Sequence, residues 1–242
     1  MKRPNSKHTF MDIKKTIAIA AATAATLTSA LADTKADAAA SATNEDYIKT
    51  FGMFVFQNGG LKELQLNPAE FDIFIQGMKD AYAGKQLPKN IAEYGQKMME
   101  YLKGRADAYV AEQSKKAQAE SDAFWKTLEA DKDVVKTASG LAYKITKAGD
   151  GKTAKENSDV KIYYTGKLVN GSVFDSTDKH GKPTEFNLAN VIPGFREGLQ
   201  KVAKGGKATL YIPAKLGYGE QALPNIPPNS TLIFDVEVLD VK

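Results

Sequence analysis

The spacing of apolar residues changes once along the chain, at Ser139-Gly140, and this change constrains the fold more than any other feature. From residue 44 to this point, apolar residues recur every three or four positions, as they do on one face of a helix. Beyond it they alternate with polar residues, as in half-buried strands. The sequence therefore predicts the α+β class, with a helical part at residues 44–136 and an antiparallel β part at residues 137–242.

Residues 1–32 have the layout of a signal peptide. A basic start precedes an apolar stretch, Ile17–Leu27, and the small residues Ala30-Leu31-Ala32 that suit a cleavage site. Either Met1 or Met11 fits as the start. The alternative is an uncleaved anchor helix, for which the apolar stretch is short and rich in Ala and Thr. We expect export, to the periplasm first of all, with the cell surface or secretion as alternatives.

Charge and residue content exclude several classes of function. Residues 33–242 hold 28 basic and 28 acidic residues, so they carry no electrostatic footprint for nucleic acid. The chain has no cysteine and two histidines, which excludes disulfides, thiolate nucleophiles, lipid anchoring on cysteine and a Cys/His metal cluster. We therefore expect no metal, no cofactor and no stable membrane anchor. Ala36–Thr43 consists almost entirely of small residues, and we expect residues 33–43 to form a flexible tether.

Three helices are predicted in residues 44–136. The first ends at Gln57-Asn58-Gly59-Gly60, and the second starts at Asn67-Pro68 with Glu70 placed to complete a capping box. The third runs from Asn90 to about Ala130, which at ~1.5 Å per residue is roughly 60 Å long. Its middle offers few large apolar residues and predicts a solvated stalk.

The first two helices are too apolar to hide their surface in one small unit. Ile48, Phe51 and Val55 form one stripe of the first helix, while Met53 and Phe56 fill its other side. We therefore expect a homodimer formed through this helical part. A compact monomeric bundle is the alternative.

The end of the stalk carries three large apolar residues, Phe124, Trp125 and Leu128. We expect them to dock this end of the helix onto another part of the protein.

Alternating segments after Ser139-Gly140 predict the strands. The strands are expected at Leu141–Thr146, Val160–Val169, from Val173 onward, Ala208–Ile212 and Thr231–Val241. Asn170-Gly171 predicts a two-residue hairpin loop. Ile192, Phe195, Leu199 and Val202 are spaced for one short helix inside this series. The predicted product is an antiparallel sheet wrapped around that helix.

Five segments of the β part bring aromatic or branched side chains next to turns or strand ends, where they can face a cleft. They are Tyr163–Gly166, Val173–Ser176, Val191–Phe195, Leu216–Gly219 and Ile226–Phe234. We interpret them as the walls of one proline-sized apolar pocket. Taken singly, most of these aromatic residues fit an ordinary core, and Asp175 fits a simple turn cap.

These segments resemble the FKBP-type peptidyl-prolyl isomerases over nearly all of Thr137–Lys242. The blocks that carry the resemblance, in the family's order, are Tyr163-Tyr164-Thr165-Gly166, Phe174-Asp175-Ser176, Val191-Ile192-Pro193-Gly194-Phe195, Gly217-Tyr218-Gly219 and Ile226-Pro227-Pro228-Asn229-Ser230-Thr231-Leu232. The export signal and the helical part further resemble the macrophage infectivity potentiator-like and periplasmic subgroup, which forms V-shaped dimers with a long stalk helix.

The resemblance implies a role for each matching position. The implied catalytic residues are Tyr164, Asp175, Ile192 and Tyr218. The implied substrate-binding residues are Phe174, Phe186, Val191, Phe195, Ile226 and Phe234. Phe195 would be the floor under the proline ring, and the Ile192 N–H and the Tyr218 hydroxyl would bind substrate carbonyls.

The activity implied is cis–trans isomerisation of prolyl bonds, assisting the folding of exported proteins, with chaperone activity beside it. Proline-containing polypeptides are the implied substrates, and macrolides are implied inhibitors of the pocket. Two alternatives stay open at this point. The same pocket can serve a non-catalytic holdase, or the helical dimer can be the functional part.

Overall fold

The computed structural model describes residues 43–242. The predicted signal peptide and all but the last residue of the predicted tether lie outside the described residues. Residues 48–242 form one compact unit, and the packing reported below is within that unit. Across the described range, the longest apolar helical stretches fall short of what a membrane span requires.

The α+β class is confirmed, because residues 43–242 contain four α-helices and a seven-stranded antiparallel sheet. The helices are α1 (Asn44–Asn58), α2 (Pro68–Tyr82), α3 (Ile91–Leu128) and α4 (Pro193–Leu199). The strands are β1 (Val135–Lys136), β2 (Ala142–Lys147), β3 (Asp159–Leu168), β4 (Val173–Ser176), β5 (Thr184–Asn187), β6 (Lys207–Ile212) and β7 (Leu232–Val241).

The start of α2 follows the predicted capping chemistry. The Asn67 side chain accepts a hydrogen bond from the Glu70 N–H at 3.0 Å, and the Glu70 carboxylate accepts one from the Asn67 N–H at 2.9 Å. Pro68 occupies the first helical position, where its missing N–H costs nothing. The capping box therefore fixes the point at which the chain enters α2.

The long predicted helix is also present, as the 38 residues of α3. Its last turns dock onto the sheet, as expected for the end that carries Phe124 and Trp125. The Trp125 indole N–H donates to the Thr231 hydroxyl at 2.9 Å, and the Phe124 and Tyr211 rings lie 5.8 Å apart. The helix is thus bonded to the residue that precedes β7.

The sheet has the strand order β1-β2-β6-β7-β3-β4, and β5 pairs with the other end of β3. The first half of β3 pairs with β5 and its second half with β4. Because both short strands hold the same edge of β3, the side chains of all three strands converge near Tyr164. The sheet begins two residues before Thr137, since β1 pairs with β2.

The hairpin between β3 and β4 differs from the predicted two-residue loop. The Gly171 N–H donates to the Leu168 carbonyl, the Leu168 N–H donates to the Ser172 carbonyl, and Gly171 has a φ of 86°. This is a three-residue loop, in which a turn over Val169 and Asn170 is followed by a left-handed glycine. Asn-Gly suits this loop as well as the shorter one, so the dipeptide alone cannot choose between them.

The core of the sheet lies between β3, β6, β7 and α4. Alternate residues of β7 are buried, and Leu232, Val236 and Val238 are each at most 4% exposed. The helix α4 approaches β6 closely because two of its residues are glycines. A Cβ on Gly198 would lie 2.5 Å from Leu210, and one on Gly194 would lie 2.4 Å from Ile212. This close contact sets the position of Phe195 on the same helix.

Candidate active site

All ten sequence-predicted site residues line one pocket of about 310 Å³, beside α4. They are joined there by one residue that the sequence reasoning missed, Pro224. The predicted set is Tyr164, Phe174, Asp175, Phe186, Val191, Ile192, Phe195, Tyr218, Ile226 and Phe234. Residues from four strands, one helix and two loops therefore meet at a single surface.

The base of the pocket is a cluster of packed aromatic rings. Phe195 and Phe234 are 4% and 6% exposed, and their ring centroids lie 4.6 Å apart. Tyr164 lies 6.1 Å from Phe195, and Phe186 lies 6.2 Å from the same ring, edge-on. Rings packed at these distances and angles hold each other in place, so the pocket has a rigid apolar floor.

Phe174 enters this cluster because residue 166 has no side chain. A Cβ on Gly166 would lie 2.6 Å from the Phe174 ring and 2.9 Å from Phe234. The two rings pack edge to face at 5.5 Å. The glycine of the predicted Tyr-Tyr-Thr-Gly block is therefore needed to make room for one wall of the pocket.

The polar wall of the pocket is a hydrogen-bonded pair. The Tyr164 hydroxyl donates to Asp175 Oδ2 at 2.5 Å, while Asp175 Oδ1 accepts from the Ser176 N–H at 2.9 Å. Burial, and then the hydrogen bond to this carboxylate, raise the pKa of Tyr164 well above its usual 10.0. Tyr164 therefore remains protonated, and the turn that follows β4 is capped by Ser176, whose hydroxyl accepts from the Asp178 N–H, and not by Asp175.

The strand backbone at Tyr164 is fixed from its other side. The Tyr164 N–H donates to the Thr177 hydroxyl at 3.1 Å, and the same hydroxyl donates to the Tyr164 carbonyl at 3.1 Å. Thr177 is only 1% exposed, so these bonds form away from water. A buried and fully paired backbone limits movement of the Tyr164 ring.

Two polar donors at the pocket have no partner among residues 43–242. Ile192 precedes α4 in an extended conformation, and its carbonyl accepts from the Phe195 and Arg196 N–H groups while its own N–H is unused. Tyr218 is 36% exposed, between Gly217 and a left-handed Gly219, and no described residue bonds its hydroxyl. Both donors are therefore free to bind a ligand.

Pro224 belongs to a tight turn that closes one side of the pocket. The Ile226 N–H donates to the Leu223 carbonyl at 3.1 Å, and Asn225 has a φ of 67°. Pro-Asn at the centre of four residues is the signature of a type II turn, so the sequence held a signal for it. The signal identifies a turn but says nothing of which cleft the proline faces.

Comparison with known proteins supports one family. Residues 150–239 match the family model described as FKBP-type peptidyl-prolyl cis-trans isomerase, and residues 42–145 match that of the domain amino terminal to FKBP-type peptidyl-prolyl isomerase. A probable FKBP-type peptidyl-prolyl cis-trans isomerase of Haemophilus influenzae is 48% identical over 176 residues, covering 69% of this chain and 71% of that protein.

Two comparisons with Escherichia coli agree with this. The FKBP-type peptidyl-prolyl cis-trans isomerase FkpA of strain K12 is 35% identical over 217 residues, covering 86% of this chain and 80% of that protein. The crystal structure of FkpA from Escherichia coli matches with a TM-score of 0.63 at 34% identity, covering 83% of this chain and 97% of that chain. The chain therefore belongs to the FKBP-type peptidyl-prolyl cis-trans isomerases, in the subgroup with a helical domain ahead of the isomerase domain.

Proposed function

We propose that the aromatic pocket catalyses cis–trans isomerisation of prolyl bonds in exported polypeptides. The observation that carries the proposal is the pairing of a rigid apolar floor, formed by Phe195 and Phe234, with two unused donors, the Ile192 N–H and the Tyr218 hydroxyl. A prolyl ring fits such a floor, and the donors suit the carbonyl groups on either side of it.

The chemistry requires no covalent intermediate. Rotation about the prolyl bond crosses a barrier of about 20 kcal/mol because the twisted amide loses its resonance, and the uncatalysed exchange takes tens of seconds or more. The twisted amide is less dipolar than the planar one. A pocket of low polarity therefore favours the twisted form over the ground state, and each tenfold acceleration needs about 1.4 kcal/mol of such preference.

The polar groups each have a role in this scheme. Phe195 supports the ring, the Ile192 N–H and the Tyr218 hydroxyl bind carbonyl oxygens and hold the rotated geometry, and Asp175 faces the twisting bond. Tyr164 orients Asp175 through their 2.5 Å hydrogen bond. Because a proton on Tyr164 is needed for this bond, the raised pKa of Tyr164 extends the arrangement into alkaline solution, beyond the pH at which an ordinary tyrosine ionises.

The experiment is a protease-coupled isomerisation assay on a short prolyl peptide, comparing wild type with Tyr218→Phe. Loss of one hydrogen bond of about 0.5–1.5 kcal/mol predicts a kcat/KM about 2- to 10-fold lower. Tyr163→Phe is the matched control, since Tyr163 is on the exposed side of β3 and outside the pocket lining. A macrolide inhibitor should abolish the wild-type rate.

A wild-type protein that leaves the relaxation of the peptide at its spontaneous rate would overturn the proposal. If that protein still suppressed aggregation of an unfolded chain, and a pocket variant did so equally well, the holdase alternative would replace it. Chaperone activity in addition to isomerisation predicts both effects in the wild type.

The remaining parts of the proposal concern organisation and location. We assign residues 44–136 to a helical domain that forms a homodimer and residues 137–242 to the isomerase domain, with β1 as a short extension into the sheet. Residues 1–32 act as a cleaved signal peptide that directs the protein to the periplasm. Residues 33–43 act as a tether. The exposed apolar faces of α1 and α2 support the dimer.

A further inference from the structure

The aromatic pocket that we propose for prolyl bonds is called the prolyl pocket. A second cavity, of about 640 Å³, lies next to it. We call it the stalk groove. Its floor is Tyr109, Val110 and Gln113 of α3. One wall runs from Gln57, at the end of α1, to Glu63, and the other wall is the segment from Ala222 to Pro228. Nothing in the proposed catalysis uses this cavity, although it is about twice the size of the prolyl pocket.

The first wall is clamped to α3 by one arginine. The Arg105 guanidinium donates to the carbonyls of Leu64 and Gln65 and to the Glu70 carboxylate, the last at 2.8 Å. Arg105 also bonds the Tyr101 hydroxyl at 2.7 Å. The segment after α1 is therefore held at a fixed height on the helix, one turn before the groove floor.

The second wall is clamped to the same helix further along. The Asn229 amide donates to the Ser114 hydroxyl at 2.9 Å, and the Thr231 N–H donates to the Ser121 hydroxyl at 3.0 Å. Ser121 is 3% exposed, so this bond is shielded from water. Arg105 and Ser114 are nine positions apart, about 14 Å of helix, and the floor of the groove lies between them.

The groove adjoins the prolyl pocket. Pro224 and Ile226 line both cavities, one from the exposed turn and the other from its buried end. A chain whose proline lies on Phe195, and which leaves the pocket on this side, passes the same two residues that begin the groove. Leu223 and Val173 extend the apolar surface on that side.

The groove also contains an unsatisfied acceptor. Glu63 Oε2 is buried and, within the part of the chain that the structure describes, has no hydrogen-bond partner. Buried polar atoms are nearly always paired, so an unpaired carboxylate oxygen at a groove wall indicates a missing donor. A rotation of the Glu63 side chain into the groove would bring this oxygen within reach of an N–H group, or of a lysine or arginine side chain, of a bound polypeptide.

We propose that the stalk groove is an extended substrate site, which binds the polypeptide that flanks the prolyl bond. The proposal rests on the proposed function, since the occupant is the substrate held in the prolyl pocket. Aliphatic side chains of the substrate pack on Tyr109 and Val110, and a donor of the substrate bonds Glu63. The α3 helix thereby contributes to substrate choice.

The test compares two peptides with the same prolyl bond. One is a tetrapeptide that fills the prolyl pocket alone, and the other continues with lysine and leucine for about eight residues on each side, about 26 Å. In wild type the longer peptide has the lower KM. Val110→Asp, which places a charge on the groove floor, is expected to raise the KM of the longer peptide about 10-fold and to leave the tetrapeptide unchanged.

Ala111→Asp is the matched control. Ala111 is exposed on another face of the same helix, so this substitution adds the same charge outside the groove. Glu63→Gln keeps the shape of the wall and is expected to raise the KM of the longer peptide about 3-fold. It decides the matter if Val110→Asp lowers the melting temperature.

The two proposals fail in different ways. Equal KM values for both peptides in wild type, or an unchanged KM for the longer peptide in both groove variants, would overturn the groove while leaving the prolyl pocket intact. Absence of activity on the tetrapeptide in wild type would overturn the proposed catalysis instead.

Discussion

The helical part and the sheet part of this protein use their apolar residues in opposite ways. In α1 and α2 no residue is buried, and Ile48 and Ile73 are 74% and 73% exposed. In the sheet part, Leu210 and Ile212 are fully buried, and within residues 43–242 the buried apolar residues other than Ala117 all follow Gly140. Similar apolar content thus builds a closed core in one region and an open surface in the other.

The difference shows that apolar periodicity identifies a face but not what covers it. Strands of the β part find partners for their apolar faces within the same chain, through β3, β6, β7 and α4. The start of α2 is held instead by hydrogen bonds, those of the Asn67–Glu70 capping box and of the Arg105 clamp, while α1 contacts α2 through the half-exposed rings of Phe56 and Phe71. A region stabilised in this way needs a second surface to bury its apolar side chains.

The largest expected effect contrasts one buried and one exposed residue. Leu210→Ala removes a fully buried side chain packed on Gly198 and should lower the free energy of unfolding by about 2–5 kcal/mol. Ile73→Ala, on the exposed face of α2, should change it by less than about 0.5 kcal/mol in dilute protein. Urea denaturation measures both. An equal cost at all protein concentrations would break the contrast, because α2 would then have a core of its own.

A smaller effect concerns the surface that covers α1. Phe51 is 57% exposed, and its burial against a second copy would contribute about 1.5–3 kcal/mol. Phe51→Ala should therefore weaken dimerisation about 10- to 100-fold in sedimentation experiments. Lys49→Ala, on the same helix, is the control and should leave the dissociation constant unchanged. A wild type that stays monomeric at high concentration would refute the dimer.

The smallest expected effect sharpens the role of polar devices in the helical part. The Asn67 N–H, and then Arg105, lower the pKa of Glu70 below its usual 4.5. A depressed folded pKa stabilises the protein above the unfolded value, and the gain is lost as pH falls through the folded pKa. Wild type should therefore melt at a higher temperature than Glu70→Gln near neutrality.

Thermal melts of both proteins, recorded at a series of decreasing pH values, test this contribution of the Glu70 carboxylate. The difference between their melting temperatures should shrink below pH 4.5 and vanish once Glu70 is protonated. The remaining carboxylates are common to both proteins and cancel. Parallel melting curves at every pH would show that the charge of Glu70 contributes nothing to the capping box or the clamp.

Local chemistry made much of the fold predictable from sequence. The start of α2 follows from Asn67-Pro68 and Glu70, and the buried face of β7 follows from the spacing of Leu232, Phe234, Val236 and Val238, although Ile233 is buried as well. The loop at Asn170-Gly171 was predicted one residue too short, because the same dipeptide fits two hairpin geometries. The pairing of β1 was not foreseen, since two residues give no periodicity.

The candidate site shows a similar limit. The five blocks that resemble a family contain eight of the ten pocket residues, and Phe186 and Phe234 were identified from the wider resemblance around them. Alternation alone could not separate Phe234 in a pocket wall from a core residue. Pro224 was missed because its orientation depends on long-range packing. The Arg105 clamp was missed for the same reason, since its partners lie about 40 positions away in sequence.

The engagement of Asp175 has a further consequence for ligand entry. It is the only carboxylate among the lining residues, and both of its oxygens already accept hydrogen bonds from the protein. Because each oxygen already has a protein donor, an arriving prolyl ring displaces less water from this carboxylate than from an unpaired one. The pocket can therefore keep an oriented dipole beside the proposed prolyl site and still bind an apolar ligand.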